Sequence, residues 1–457
     1  MCAREGLVIA LQAIVGAEHL LTGAAAAAYA IDGVPPAMVV FPEEEEQVAA
    51  ILRIADEHNA SVFPRGGGSY MGLGHTPTQV DVVLCLQRLR RQIAYVPADL
   101  TVTVQAGMRL ADLQQTLRQQ GQFLALDPPA AEMATVGGVV ATNRSGPRRL
   151  LYGTARDMLL GTAVITAEGK RAKAGGRVVK NVAGYDLNKL YIGSLGTLAV
   201  LVELTFKLYP LPPGEQTLGI GIGHLDDVLP VLQTLMQTPL RLSSLELLNR
   251  TATAAITTKA GIPEPEGAYL VLVRVEGSPA VTKRQEEKIN TALRRLSLRG
   301  KPHLLIWEQE QQERLWRSIE AFPVATSTDI PPSVLCKVSL LMSDLPALLQ
   351  EVHTASAQGE TIWPVLAHAG SGIAYINVLP RDPATADPEA MVHQLQTLDT
   401  WIARWHGRRV IERAPIAVKQ HCQVWGSPGE DFALMQALKA AFDPRRRLNP
   451  GRFIGGI

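Results

Sequence analysis

The stretch Pro64-Arg65-Gly66-Gly67-Gly68-Ser69-Tyr70-Met71-Gly72-Leu73-Gly74 limits the fold more than any other part of the chain. Three consecutive glycines after Ser61-Val62-Phe63 permit backbone turns that a Cβ forbids. They also let successive N–H groups converge on one concavity of the kind that holds a diphosphate. Pro64 fixes the entry, and Arg65 and Ser69 add side-chain donors. A Gly-Gly-Gly taken alone also fits an ordinary flexible loop after a strand. It does not fit the G-x-G-x-x-G of a nicotinamide-binding unit, because no helical pattern opens at its glycines and His75-Thr76-Pro77 follows.

A chain of 457 residues exceeds one ordinary core and predicts two or three domains. With 47% hydrophobic and 19% charged residues the composition is that of a soluble globular protein. Lys and Arg number 44 against 43 Asp and Glu, so no strong field favours nucleic acid or an anionic membrane, and a small-molecule ligand is expected. Cys2, Cys85, Cys336 and Cys422 are far apart and form no C-x-x-C, a spacing that cannot hold an iron–sulfur cluster or a structural zinc within this chain. Reduced thiols and a cytoplasmic location are the natural reading, and no metal site is expected. The apolar Leu7-Val8-Ile9-Ala10-Leu11 and the alanines 24–28 are interrupted by Gly16, Glu18 and His19. They are too short and broken for a signal peptide or a spanning helix, and read as a short packed helix.

Along the chain, Met38-Val39-Val40-Phe41 reads as a strand. Pro42 and the acids Glu43 to Glu46 then open a helix whose Val48, Ile51, Leu52 and Ala55 share one face. That helix ends near His58-Asn59-Ala60, and the next strand leads into the glycine loop. Val80 to Leu84 reads as a buried strand and Leu100 to Ala106 as a half-buried one. Leu110, Leu113 and Leu117 mark a helix closed by Gly121. A second glycine-bearing segment follows Asp127-Pro128-Pro129: Ala134-Thr135-Val136-Gly137-Gly138-Val139-Val140-Ala141-Thr142-Asn143-Arg144-Ser145-Gly146. Its small residues leave room for a flat, extended ligand or for close helix packing, and Thr135, Thr142, Asn143 and Ser145 offer short hydrogen-bonding groups. A third runs Gly175-Gly176-Arg177-Val178-Val179-Lys180-Asn181-Val182-Ala183-Gly184-Tyr185-Asp186-Leu187 and leads into Gly193-Ser194-Leu195-Gly196-Thr197-Leu198 and a strand to Leu208.

This order of motifs resembles the FAD-binding PCMH-type domain of the vanillyl-alcohol oxidase superfamily. Within it the chain is most similar to the glycolate oxidase and D-2-hydroxyacid dehydrogenase group. The likeness runs from about Asp32 to Pro213 and resumes at Phe442-Asp443-Pro444 and Leu448-Asn449-Pro450-Gly451-Arg452. It implies an α+β fold: a two-subdomain FAD-binding domain over residues 1–215, an α+β cap with an antiparallel sheet over 216–410, and a segment 411–457 returning to the first domain. It further implies that Arg65, Gly66, Gly67, Gly68 and Ser69 hold the FAD pyrophosphate. Pro128, Thr135, Gly137, Gly138, Thr142, Asn143 and Gly146 would line the extended cofactor, Val200 would meet it through main chain, and Asn449 would approach the flavin ring. Some relatives tether flavin through a His in the first loop; Ser69 stands in that slot, so non-covalent FAD is expected.

From about 216 the pattern changes to strands near 269–275, 303–306 and 335–341. Helices are expected from Ser278-Pro279 to about Leu296, over 308–321 and over 344–355. Catalytic members of the group carry G-H-x-G-D-G-N-x-H in the cap. Here Ala367-His368-Ala369-Gly370-Ser371-Gly372-Ile373-Ala374-Tyr375 keeps one imidazole, which makes a poor metal site. A Glu-His-Gly segment is replaced by Glu412-Arg413-Ala414, and Arg317 after Leu315-Trp316 is out of phase with the carboxylate-clamping Arg of relatives. The catalytic residues are therefore left unassigned. Glycolate oxidase assemblies pair two related flavin subunits with an iron–sulfur subunit, and the smaller flavin subunit keeps and loses the same motifs. The resemblance thus implies a subunit partnered by a larger flavin subunit and an iron–sulfur subunit, acting on a 2-hydroxy acid, with any membrane association made through partners. A stand-alone D-lactate or D-2-hydroxyacid dehydrogenase using His368, Tyr375 or Glu412 as base stays open, as does an FAD-binding scaffold without turnover.

Overall fold

Turns as rich in glycine as residues 64–74 hold a shape only if rigid elements frame them, and two sheets do so here. The computed structural model describes residues 3–177, 185–322 and 333–457. They fall into two units: residues 1–145, 154–211 and 427–457 make the first, and residues 146–153 and 212–426 the second.

In the first unit, Val62–Arg65 and Met38–Val40 flank Val82–Cys85 in parallel, and Leu20–Thr22 adds an antiparallel edge. Successive side chains alternate faces. Val62, Val82 and Leu84 enter one core with Leu11, Ile51 and Leu52, whereas Phe63, Val83 and Cys85 enter another with Ile31 and Val39. Gln92–Val96, Thr101–Gln105, Ala199–Lys207, Leu159–Thr166 and Arg171–Gly175 form a five-stranded antiparallel sheet in that order. Val200, Val202 and Ile165 of this sheet join the first core, so the two sheets share apolar packing. The helix Ala3–Val15 buries Leu7, Leu11 and Val15 in the same place and is an integral part of the unit.

Several expectations shift. The acidic helix is Glu45–Glu57, so Pro42 lies ahead of the first turn; the Glu43 N–H is met by the Gln47 Oε1 at 2.7 Å. The buried face Val48, Ile51, Leu52 and Ala55 is as the periodicity predicts. Thr101–Gln105 is buried along its whole length, not half-buried, because the sheet is covered on both faces and Thr103 pairs its hydroxyl with Thr205 at 3.0 Å. Ser278 precedes the helix Pro279–Arg294 without a side-chain cap bond.

The chain end returns to this unit through a buried charge pair. Lys439, 1% exposed, donates from Nζ to the Asp443 Oδ2 (2.7 Å), the Thr197 carbonyl (2.7 Å) and the Leu448 carbonyl (2.9 Å). Asp443 accepts in turn from the N–H groups of Arg447 (2.9 Å) and Leu448 (2.8 Å). So held, residues 447–449 bond the edge strand: the Val62 N–H donates to the Arg447 carbonyl at 2.7 Å, and the Asn449 N–H to the Val62 carbonyl at 2.9 Å.

The second unit is built on an antiparallel sheet, ordered His303–Ile306, Glu215–Ile222, Tyr269–Glu276, Leu242–Asn249, Val365–His368, Ile373–Pro380, Val334–Ser339 and Arg408–Arg413, with Thr361–Ile362 pairing on Ile373–Pro380. Alternate strand residues face helices Val228–Gln237, Pro279–Arg294, Leu345–Gln358 and Pro388–Ala403. The opposite set faces Arg250–Ala260 and Gln309–Ala321. Among the described residues no helix is long and apolar enough to cross a membrane.

Two outcomes test this packing. Lys439→Met strands a buried carboxylate and is expected to lower unfolding free energy in denaturant by about 3–5 kcal/mol; a loss under about 1 kcal/mol would mean that the pair does not anchor the chain end. Burial pushes the Cys336 thiol up to about 12 from an ordinary 9.0, so the fold favours its neutral form. That contribution is whole below the unfolded value and lost as pH climbs through the folded one. An alkylating reagent near neutral pH should accordingly modify Cys336 only on unfolding, as read by mass spectrometry.

Candidate functional site

The strand Val62–Arg65 delivers residues 66–69 to the wall of a groove of about 720 Å³. None of the N–H groups of Gly66, Gly67, Gly68 and Ser69 donates a hydrogen bond among the described residues. Four successive unspent donors at the wall of a concavity favour an anion. The glycines are there for two reasons. A Cβ on Gly66 would lie 2.0 Å from the Thr135 Oγ1, and one on Gly67 would lie 1.6 Å from the Met133 carbonyl oxygen, so these residues let the first loop press against the second segment. Gly68 has φ +84°, and its Cβ would meet the Arg65 guanidinium.

The second segment forms the helix Val136–Thr142, capped by Thr135, whose hydroxyl accepts from the Gly138 N–H at 3.2 Å. The N–H groups of Val136 and Gly137 donate to the Met108 and Ala106 carbonyls, both at 2.9 Å. This helix start is therefore satisfied by protein, and the unspent donors belong to the first loop. A Cβ on Gly137 would come within 2.7 Å of the Ala106 carbonyl oxygen, so close packing accounts for that glycine. At the other end, the N–H groups of Gly193 and Leu195 donate to the carbonyls of Val140 (3.0 Å) and Ala141 (2.8 Å). The turn 193–196 needs left-handed backbone at Gly193, Leu195 and Gly196. The Asn449 side-chain amide donates to the Leu195 carbonyl, tying this turn to the chain end.

Gly66, Gly67, Gly68, Ser69, Pro128, Thr135, Gly138, Thr142 and Asn449 all line the groove. Arg65, Gly137 and Val200 line an adjoining recess of about 410 Å³ that shares Pro64, Gly66, Thr135, Gly138, Ala141 and Leu195 with it. Two recesses joined along a shared wall suit an extended ligand better than a compact one. The Arg65 guanidinium lies 4.7 Å from the Tyr29 ring and 3.8 Å from the Cys85 Sγ, so it packs the loop from behind. Asn143 and Gly146 line neither space: Asn143 ends the helix at φ 48°, and Gly146 belongs to the second unit. Lys180, Asn181 and Gly184 of the third motif lie outside the described residues.

Sequence reasoning passed over two groove residues. Arg144, buried, sets its guanidinium 4.3 Å from the Tyr70 ring at the groove wall and brings positive charge there. Arg452 donates to the Leu73 carbonyl at 2.6 Å, to the Met71 and His75 carbonyls, and to Asp32 at 2.9 Å, fixing the loop beyond Ser69. Each stands inside a quoted motif, so the signal was their position among the glycines.

In the second unit His368 is buried, with Nδ1 2.6 Å from the Glu246 Oε2 and its ring edge-on to Tyr375 at 5.4 Å. Glu246 is fully buried on the neighbouring strand, directly opposite His368. Trp316 donates from Nε1 to the Thr217 hydroxyl at 2.8 Å and stacks under Arg274 at 3.6 Å. Glu412 is buried on the strand Arg408–Arg413. Among the described residues no group of three or more His, Cys, Asp or Glu could hold a metal ion.

Comparisons agree with this geometry. A family described as the FAD binding domain matches residues 36–175, and one described as FAD linked oxidases, C-terminal domain, matches 211–408 and 421–453. Glycolate oxidase subunit GlcD of Bacillus subtilis is 27% identical over 440 residues, 93% of this chain and 91% of that protein. D-2-hydroxyglutarate dehydrogenase of Xanthomonas citri pv. viticola is 29% identical over 436 residues, 91% and 89% respectively. The crystal structure of p-cresol methylhydroxylase with substrate bound superposes with a TM-score of 0.74 at 17% identity, over 98% of this chain and 96% of that one, a likeness of fold.

The unspent N–H groups and the glycines that let them approach the second segment fit the diphosphate of FAD. Gly67→Ala, whose new methyl meets backbone, should therefore raise the Kd for FAD at least about tenfold in a fluorescence titration. Unchanged affinity would remove the loop from the site. With the cradle, the groove and both family matches in one chain, the protein belongs to the FAD-linked oxidases and its cofactor is FAD.

Proposed function

We propose that the protein is the FAD-binding subunit of a glycolate oxidase-like complex, in which it takes part in oxidising a 2-hydroxy acid and passes electrons through FAD to partner subunits. In this reading the first unit is the FAD-binding domain and the second the cap, with a larger flavin subunit and an iron–sulfur subunit as partners. The observation that carries it is the contrast between the two units. The groove brings together the first loop, the second segment, Leu195 and Asn449, whereas in the second unit the one imidazole left from the catalytic motif is buried and engaged by Glu246, with Ser371, Ile373 and Tyr375 beside it in sequence.

Oxidation of a 2-hydroxy acid needs a base for the hydroxyl proton, a cation for the carboxylate and a hydride acceptor. FAD supplies the last. Residues 66–69 hold the diphosphate end by main-chain donors, with Arg144 contributing charge, and Asn449 fixes the 193–196 turn at the far end. Among the described residues the candidates for cation and base do not meet in an open site: Arg274 is 2% exposed against Trp316, and Arg317 is out of phase on its helix. Electrons leaving by a partner protein agree with four dispersed cysteines.

A stand-alone D-2-hydroxyacid dehydrogenase is the second reading, favoured by 29% identity to D-2-hydroxyglutarate dehydrogenase over 91% of this chain. Anaerobic mixing of the purified holoprotein with glycolate or D-lactate separates the two. The flavin should stay oxidised until partner subunits are added; bleaching by the chain alone would select the second reading. Acid denaturation should leave all flavin in the supernatant, since Ser69 offers no tether, and flavin retained on the precipitated chain would contradict this. Glu412→Gln should change turnover of the assembled complex less than about threefold; a large loss would make that carboxylate a catalytic group.

A further inference from the structure

The strand His303–Ile306 lies at one end of the antiparallel sheet of the second unit. It bonds Glu215–Ile222 on one side and, among the described residues, no strand on the other. An unpaired edge offers a row of backbone donors and acceptors to another chain. The opposite end of the sheet is protected: Arg408–Arg413 carries Arg408, Arg409, Glu412 and Arg413, and the Ile411 N–H is taken by the Val424 carbonyl at 2.7 Å.

The first edge is apolar. Register sets Leu304 opposite Ile220 and Ile306 opposite Leu218, so these side chains share one face of the sheet. Leu218 and Ile220 are buried in the core on that face, whereas Leu304 is 40% and Ile306 57% exposed. Leu305 takes the other face, where it packs against the core that holds Trp307 and Trp316. The apolar pattern of the first core therefore runs on for one more strand without cover.

The sequence of the edge is close to a palindrome, which says what covers it. Directly opposed residues of an antiparallel pair are either both hydrogen-bonded or both not, so a strand paired with its own copy has the two-fold axis at a residue. With the axis at Leu305, Leu304 of each copy faces Ile306 of the other, His303 faces Trp307, and Pro302, which has no N–H, ends the ladder. An axis at Leu304 would set Ile306 against Pro302, and one at Ile306 would set Leu304 against Glu308. Lys301 precedes the strand while Glu308 and Glu310 follow it, all exposed, so antiparallel pairing also brings the basic end of each copy to the acidic end of the other. A foreign strand requires neither property, whereas a two-fold contact requires both.

We propose that two copies of this chain associate through this edge, pairing His303–Ile306 with its own copy about a two-fold axis at Leu305 and continuing the sheet from one copy into the other. The contact lies within the second unit and stands whichever reading of the function holds.

The test follows full-length protein loaded with FAD by sedimentation velocity over a concentration series, as wild type, Leu304→Lys, Ile306→Glu and a one-to-one mixture of the two variants. Wild type should be dimeric by about 100 µM. Each substitution sets a charge against an apolar side chain twice per dimer and should weaken self-association at least about tenfold. In the mixture the new lysine of one variant faces the new glutamate of the other, while the remaining Leu304 and Ile306 meet on the far side of the axis, so dimers should return. Both positions are exposed, so Kd for FAD should stay within about twofold of wild type in each variant, which also reports that they fold. A wild type that stays monomeric at that concentration, dimers that survive both substitutions, or a mixture that associates no better than its components overturns the proposal.

Discussion

A single ammonium group holds the first unit in register. Lys439 is removed from water, and desolvation holds its ammonium below the usual lysine range against the opposing pull of Asp443; that carboxylate and two carbonyls surround it. Those carbonyls are Thr197 and Leu448, one beside the 193–196 turn and the other on the strand edge at Val62. The contacts of one side chain thus fix the spacing between the strand that feeds the first glycine loop and the turn that closes the helix Val136–Thr142. Removing that charge pair would leave both ends of the groove to find their own positions.

The glycines of the groove act mainly by omission. Gly66 and Gly67 have no Cβ because Thr135 and the Met133 carbonyl occupy the space, and Gly137 has none because Ala106 does. Backbone meets backbone at Gly67 and Gly137 and a side chain at Gly66, and the first loop brings a row of unspent N–H groups to the groove wall. Such a surface recognises a diphosphate through dipoles that are already oriented, which lowers the ordering cost of binding. It also explains why the helix start at Thr135 contributes shape and not donors, its N–H groups being spent on residues 106–108.

Much of this was legible because the information is local. Val48, Ile51, Leu52 and Ala55 announce one helix face, Leu110, Leu113 and Leu117 another, and three glycine runs in fixed order announce a dinucleotide site. The helix start was less legible: Pro42 looked like a first helical residue, yet the helix begins three residues later, at Glu45. Long-range polar pairing was not legible at all. Nothing near Lys439 in sequence points to Thr197, and nothing near Glu246 points to His368, since strand order in the antiparallel sheet decides which side chains meet.

The two units differ in how they use polar groups. In the first they end at carbonyls and leave N–H donors exposed to a groove; in the second, Glu246 with His368 and Thr217 with Trp316 close on one another. A unit that leaves N–H donors unspent at a groove, and another whose His368 and Trp316 are engaged by Glu246 and Thr217, are the physical content of the subunit reading. Its foundation, convergence of three glycine-bearing turns on one FAD, is tested most directly by amide hydrogen exchange of the full chain with and without FAD. Protection on binding should appear together in the peptides covering residues 62–73, 133–143 and 193–198. Protection absent from the first of these, or concentrated in residues 212–426 alone, would contradict the account.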